Sequence, residues 1–139
     1  MTVSPTARDG ALLAFAEGRK YGSGDFGPGG AGLGQHDLVM RRSTDSGRSF
    51  GRLTTLIDAV DFPPWKGLNP EAANDKGPAV WDPTPLWDRL TDTVWLFFNG
   101  PGRVGRDCHA GLCSTWASCS TDKGVSWETR NVTTECQGG

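Results

Sequence analysis

No run of apolar residues in this sequence is long enough to cross a bilayer as a helix. The longest, residues 11–16 and 94–98, fall far short of the roughly 20 residues such a span needs. The opening MTVSPTARDG lacks the apolar core of a secretory signal. Neither charge sign dominates: 14 Lys and Arg stand among 16 Asp and Glu, for a net charge of −2. That balance leaves no footprint for nucleic acid and no polybasic patch for a membrane surface. No window of eleven or more residues holds a clean 3.6-residue apolar period, so almost no helix is expected. Glycine and proline are instead abundant, 29 of 139 residues, against roughly 12% in average proteins. They cut the chain into short segments, and short segments favour strands and turns.

Six segments read as strands: ALLAFA (11–16), HDLVMRRS (36–43), LTTLIDAV (53–60), TVWLFFN (93–99), CSTWASCS (113–120) and VSWETRNVT (125–133). Each is short, bounded by turn residues, and rich in β-branched or aromatic side chains. The class is all-β. An internal repeat organises it, because STDSGRSF (43–50) returns 77 residues later as STDKGVSW (120–127). Both read S-T-D-x-G-x-S-aromatic, with Ser43, Asp45, Gly47 and Phe50 matched by Ser120, Asp122, Gly124 and Trp127. The pattern suits a hairpin turn: the carboxylate accepts backbone N–H groups, glycine takes the positive φ, and the aromatic packs beneath. Repeat units bury their faces only against neighbours and need at least three for stability. Two units in 139 residues are therefore expected to be part of a longer protein.

Between positions 18 and 34, eight of 17 residues are glycine. Composition alone reads this as a flexible linker. Its position between two expected strands argues for a loop anchored at both ends, where glycines let backbone approach a ligand closely. Around it Glu17, Arg19 and Asp25 could form the polar floor of a sugar site. Arg19 offers bidentate donors for a carboxylate, and Asp25 could hold or release a proton. A surface ion pair between Arg19 and Asp25 is the ordinary alternative.

Other candidates carry less. Cys108, Cys113, Cys119 and Cys136, with His109, match no standard zinc spacing, so no metal is expected. One or two disulfides in a lumenal or extracellular protein, or buried free thiols, both fit them. An N-V-T sequon at 131–133 leans the same way as the disulfides. The six tryptophans read as core packing before they read as a sugar-stacking platform. His36 has no partner at ligand spacing and receives no role.

The repeat resembles the Asp-box of sialidase and other β-propellers. The longer run LLAFAEGRKYGSGDFG, followed by DLVMRRSTDSGRSF and then GPAVWDPTPLWDRLTDTVWLFFNG, is similar to the exo-α-sialidase (neuraminidase) family, over residues 2 to about 131. The resemblance implies about two blades of a six-bladed propeller and an exo-α-sialidase that releases terminal sialic acid from glycoproteins, gangliosides or oligosaccharides without a cofactor. It implies Asp25 as general acid/base, Arg19 as a substrate contact and Glu17 as its supporting carboxylate. Sialylated glycans are the implied partners, and a lysosomal, lumenal or extracellular compartment is favoured over the cytoplasm.

Two departures limit what is carried over. The family's nucleophile is a tyrosine late in the chain, whereas Tyr21 is the one tyrosine here and reads as a loop residue. Asp82 stands where the family usually has Asn; a carboxylate there would repel an anionic substrate, so it is not assigned to binding. The chain is thus expected to hold one catalytic residue and to be inactive by itself. A non-catalytic Asp-box propeller that binds carbohydrate or protein is the rival reading.

Overall fold

The computed structural model describes residues 2–5, 10–20, 35–61, 79–100 and 114–137. Eight strands form two four-stranded antiparallel sheets in simple sequence order. The first contains β1 (Thr2–Pro5), β2 (Leu12–Arg19), β3 (His36–Ser43) and β4 (Thr54–Ile57). The second contains β5 (Trp81–Asp88), β6 (Thr93–Gly100), β7 (Ser114–Ser120) and β8 (Glu128–Asn131). A 3₁₀ turn, Ala59–Asp61, and a five-residue helix, α1 (Thr133–Gln137), are the helical segments among the described residues. None of these is long and apolar enough to cross a membrane.

Alternation along the strands builds the core. In β2, Leu13 and Phe15 are fully buried, opposite Arg42 and Met40 of β3. In β6, Val94, Leu96 and Phe98 are buried. These two faces meet, so a single cluster spans both sheets, with Leu38, Met40, Ile57, Ala59 and Val80 joining it. At 25 cal/mol per Å², each such side chain contributes about 1.5–3 kcal/mol when fully buried. Trp127 closes the cluster edge-on to Phe15, with centroids 5.9 Å apart and planes at 86°, the geometry the ring quadrupoles favour.

The two repeats close the β3–β4 and β7–β8 hairpins with matching hydrogen bonds. Ser43 Oγ accepts from Gly47 N–H and donates to Asp45 Oδ1, which accepts from Ser49 N–H at 2.9 Å. Ser120 Oγ does the same with Gly124 and Asp122, whose Oδ1 accepts from both Val125 N–H and Ser126 N–H. Each turn places two consecutive residues at positive φ, Ser46 and Gly47 in one, Lys123 and Gly124 in the other. Their aromatics differ. Trp127 packs on the core cluster, whereas Phe50 is half-buried and stands apart from it, because Trp127 finds Phe15 of the neighbouring sheet. Among the described residues there is no third sheet to serve Phe50 in the same way.

The second turn also joins the sheets. Arg42 Nε–H donates to the Lys123 carbonyl at 2.9 Å. A Cβ on Gly124 would lie 2.7 Å from Leu13 Cδ1, so this glycine is required both by its φ of 84° and by the close approach.

These carboxylates are expected to add an acid limb to the stability. The Ser49 hydroxyl, then the Ser49 and Ser43 hydrogen bonds, hold Asp45 at about 2 against an ordinary 3.8. The Ser126 hydroxyl and N–H hold Asp122 still lower. Since both folded values are depressed, their stabilisation is complete above the ordinary value and is lost as pH falls toward 2. Denaturant midpoints should therefore drop from about pH 4 downward, and Asp122→Asn should flatten that acid limb. An unchanged limb in the variant would remove Asp122 as a source of it.

Candidate functional site

The repeats occupy one end of the strands, and the polar candidates the other. β2 continues beyond the expected strand end at Ala16, so Glu17 and Arg19 are strand residues, not loop residues: Glu17 pairs with Leu38 and Arg19 with His36 across β3. Gly18 stays within the ladder, opposite Asp37, and a Cβ there would lie 2.5 Å from Val39 Cγ1. Glu17 and Arg19 therefore project from the same face, two residues apart.

Their side chains form a forked pair. Glu17 Oε2 accepts from Arg19 Nη2–H at 2.9 Å and from Nε–H at 3.3 Å. A carboxylate bound along one edge of a guanidinium fixes its plane, and the Arg19 side chain remains 39% exposed. Glu17 Oε1 accepts from the Asp82 backbone N–H at 3.3 Å, which ties β2 to the start of β5. Asp82 sits at a φ of 58°, beside a register shift between β5 and β6, and its exposed Oδ2 accepts from Asn99 Nδ2–H at 3.1 Å. Such sparsely populated backbone states persist where the surroundings impose them, and they cluster at functional sites.

The neighbouring strand start is buried. Gln35, His36 and Asp37 are each at most 4% exposed, and the His36 carbonyl accepts from Val80 N–H at 2.9 Å. Lys20 Nζ lies 2.7 Å from Asp37 Oδ2. This end of the two sheets thus gathers Glu17, Arg19, Lys20, Asp37, Asp82 and Asn99 around the points where residues 21–34 leave and return. Asp25 and Tyr21 lie outside the described residues.

No family model matches the chain. It is 31% identical over 144 residues to a sialidase of Micromonospora viridifaciens, an alignment covering 97% of this chain. By sequence it is sialidase-like. The chain spans 19% of the length of that curated relative.

In this sialidase-like chain Arg19 pairs with Glu17; the Arg19–Asp25 surface pair weighed above lies outside the described residues. Sequence reasoning set Asp82 aside on charge, yet the structure joins it to Glu17 through its backbone N–H, which no side-chain argument addresses. The Lys20–Asp37 pair was missed because 17 residues separate the partners and only the strand register unites them. Cys119 and Cys136 are free; Cys108, Cys113 and His109 lie outside the described residues.

Proposed function

We propose that this chain carries two sheets of a six-bladed propeller with exo-α-sialidase activity, acting with retention on terminal sialic acid of glycoproteins, gangliosides or oligosaccharides. The observation that carries the reading is the forked Glu17–Arg19 pair at the base of the segment bearing Asp25, in a chain similar to a sialidase along 97% of its length. The structure's two antiparallel sheets joined by one core are compatible with adjacent blades.

The proposed roles follow the chemistry. Sialic acid carries a carboxylate beside its anomeric carbon, so an anionic nucleophile would be repelled, and a tyrosine with a Glu base approaches as a neutral group. Asp25 protonates the departing glycosidic oxygen and then takes a proton from the attacking water. Arg19 contacts the sugar with its plane set by Glu17. The two sequence repeats serve as Asp-boxes that hold the sheets, remote from the chemistry.

Neither the nucleophile nor the arginine clamp of the family is matched in these 139 residues. The purified chain is accordingly expected to leave a fluorogenic aryl sialoside intact, and turnover by it would overturn this division of roles. The coding sequence on either side offers the cheapest check. An R-I-P motif upstream, with two arginines and a Glu/Tyr pair downstream, supports the enzyme; their absence from the whole gene sinks it.

A further inference from the structure

Residues 21–34 leave from Lys20 and return at Gln35, and one carboxylate holds both points. Asp37 is fully buried and lies opposite Gly18 in the β2–β3 register. Its Oδ2 is 2.7 Å from Lys20 Nζ. Its Oδ1 accepts from Gln35 Nε2–H at 2.7 Å and from Ala59 N–H at 3.0 Å. Gln35 Nε2 donates also to Asp58 Oδ1 at 2.7 Å, and that oxygen accepts from Val60 N–H at 3.2 Å. The backbone adds one direct link, Lys20 N–H to the Gln35 carbonyl at 2.9 Å.

Taking a carboxylate out of water is unfavourable unless it is paired and hydrogen-bonded. Here the ion pair with Lys20 and the hydrogen bonds from Gln35 and Ala59 do something an apolar side chain in this place could not. They connect the last residue before the segment, the first residue after it, and the turn that follows β4. Closing a loop carries an entropic cost, and these contacts fix the positions of its two end residues, Lys20 and Gln35.

We infer that Asp37 is a positioning residue: it clamps the two ends of the segment that carries Asp25 and, through Lys20, holds the backbone next to Arg19. The catalytic meaning of the clamp rests on the sialidase reading; the clamp itself does not.

Asp37→Asn is the selective variant. Its remaining carbonyl can still accept from Gln35 and Ala59, but an amide N–H₂ then faces the Lys20 ammonium, so one arm is cut. In the intact chain, residue-resolved amide exchange should show the Lys20 N–H exchanging roughly tenfold faster, as expected when a charge-assisted contact supporting a local structure is lost. The amides of Leu96 and Ala117, in the other sheet, should keep their rates. Lys20→Met should reproduce the effect, the double variant should add nothing to it, and Lys20→Arg should restore protection. If Asp37→Asn proves too unstable to fold, Lys20→Met, at a half-exposed position, gives the same reading.

An unchanged protection of the position-20 amide, relative to its intrinsic rate, in either variant overturns the clamp, and so does a uniform acceleration across both sheets. In any form of the protein that cleaves a sialoside, Asp37→Asn should lower kcat with KM nearly unchanged. Faster exchange with unaltered kcat would overturn the positioning role while leaving the clamp. Absence of turnover by the unmodified full-length protein would instead overturn the sialidase reading and leave the exchange result standing.

Discussion

Phe15→Ala should remove about 3–5 kcal/mol of stability, a large share of the roughly 5–15 kcal/mol that holds an ordinary domain. The side chain is fully buried, opposite Met40 in β3 and edge-on to Trp127 of the other sheet. Truncation therefore opens a cavity at the joint between the sheets, where neither can close it without pulling away from its own hydrogen-bonded ladder. Phe97 is the natural control. It is half-buried, stacked on Trp95 at 6.3 Å on the opposite face of β6, and Phe97→Ala should cost clearly less. Guanidinium unfolding of both variants measures the contrast. Equal losses would mean that the two sheets do not depend on a common core.

The second large effect is chemical. In any form of the protein that cleaves sialosides, Asp25→Ala should slow hydrolysis of substrates with poor leaving groups by about 10²–10⁴-fold, the span general acid catalysis supplies. Activated aryl sialosides, whose leaving group departs without a proton, should lose far less. The comparison is internal to one variant, so a general loss of folded protein would depress both rates alike. Equal losses on both substrates, in protein shown to be folded, would take the acid role away from Asp25.

Much of the fold could be read from the residues. HDLVMRRS became β3 at its expected bounds, and TVWLFFN became β6 with one added residue, because each combines branched or aromatic side chains with clear turn residues on both sides. The elements that were missed have physical explanations. WDPTPLWD, β5, contains Pro83 and Pro85 and is not among the six expected strands, but β5 is an edge strand of its sheet, the place in a sheet that tolerates proline. TVSP, β1, is too short to carry a periodic signal and is defined only by its pairing with β2. The last expected strand contracted to Glu128–Asn131, because Val125 and Ser126 give their N–H groups to Asp122 in the turn and, at the other end, Asn131 Oδ1 accepts from Thr133 N–H as the chain enters α1.

The candidate site was less legible. Glu17 and Arg19 stood out by residue type, but the glycine between them read as a loop. Only the register with His36 and Leu38 shows that they share a strand face. Asp37 looked like an ordinary strand start, and nothing in HDLVMRRS announces that its carboxylate gathers Lys20 and Ala59 from distant positions along with nearby Gln35.

The joint between the sheets is directional. The first sheet offers its Leu13 and Phe15 face, whereas the second offers the face of Val94, Leu96 and Phe98. Leu12 pairs with Ser43 as Val94 pairs with Ser120, so Trp95 and Phe97 are the register equivalents of Leu13 and Phe15. An isologous contact would bring like faces together and finish with the pair; this one is heterologous. It consumes one face of each kind, so the geometry that joins the sheets contains no instruction to stop at two.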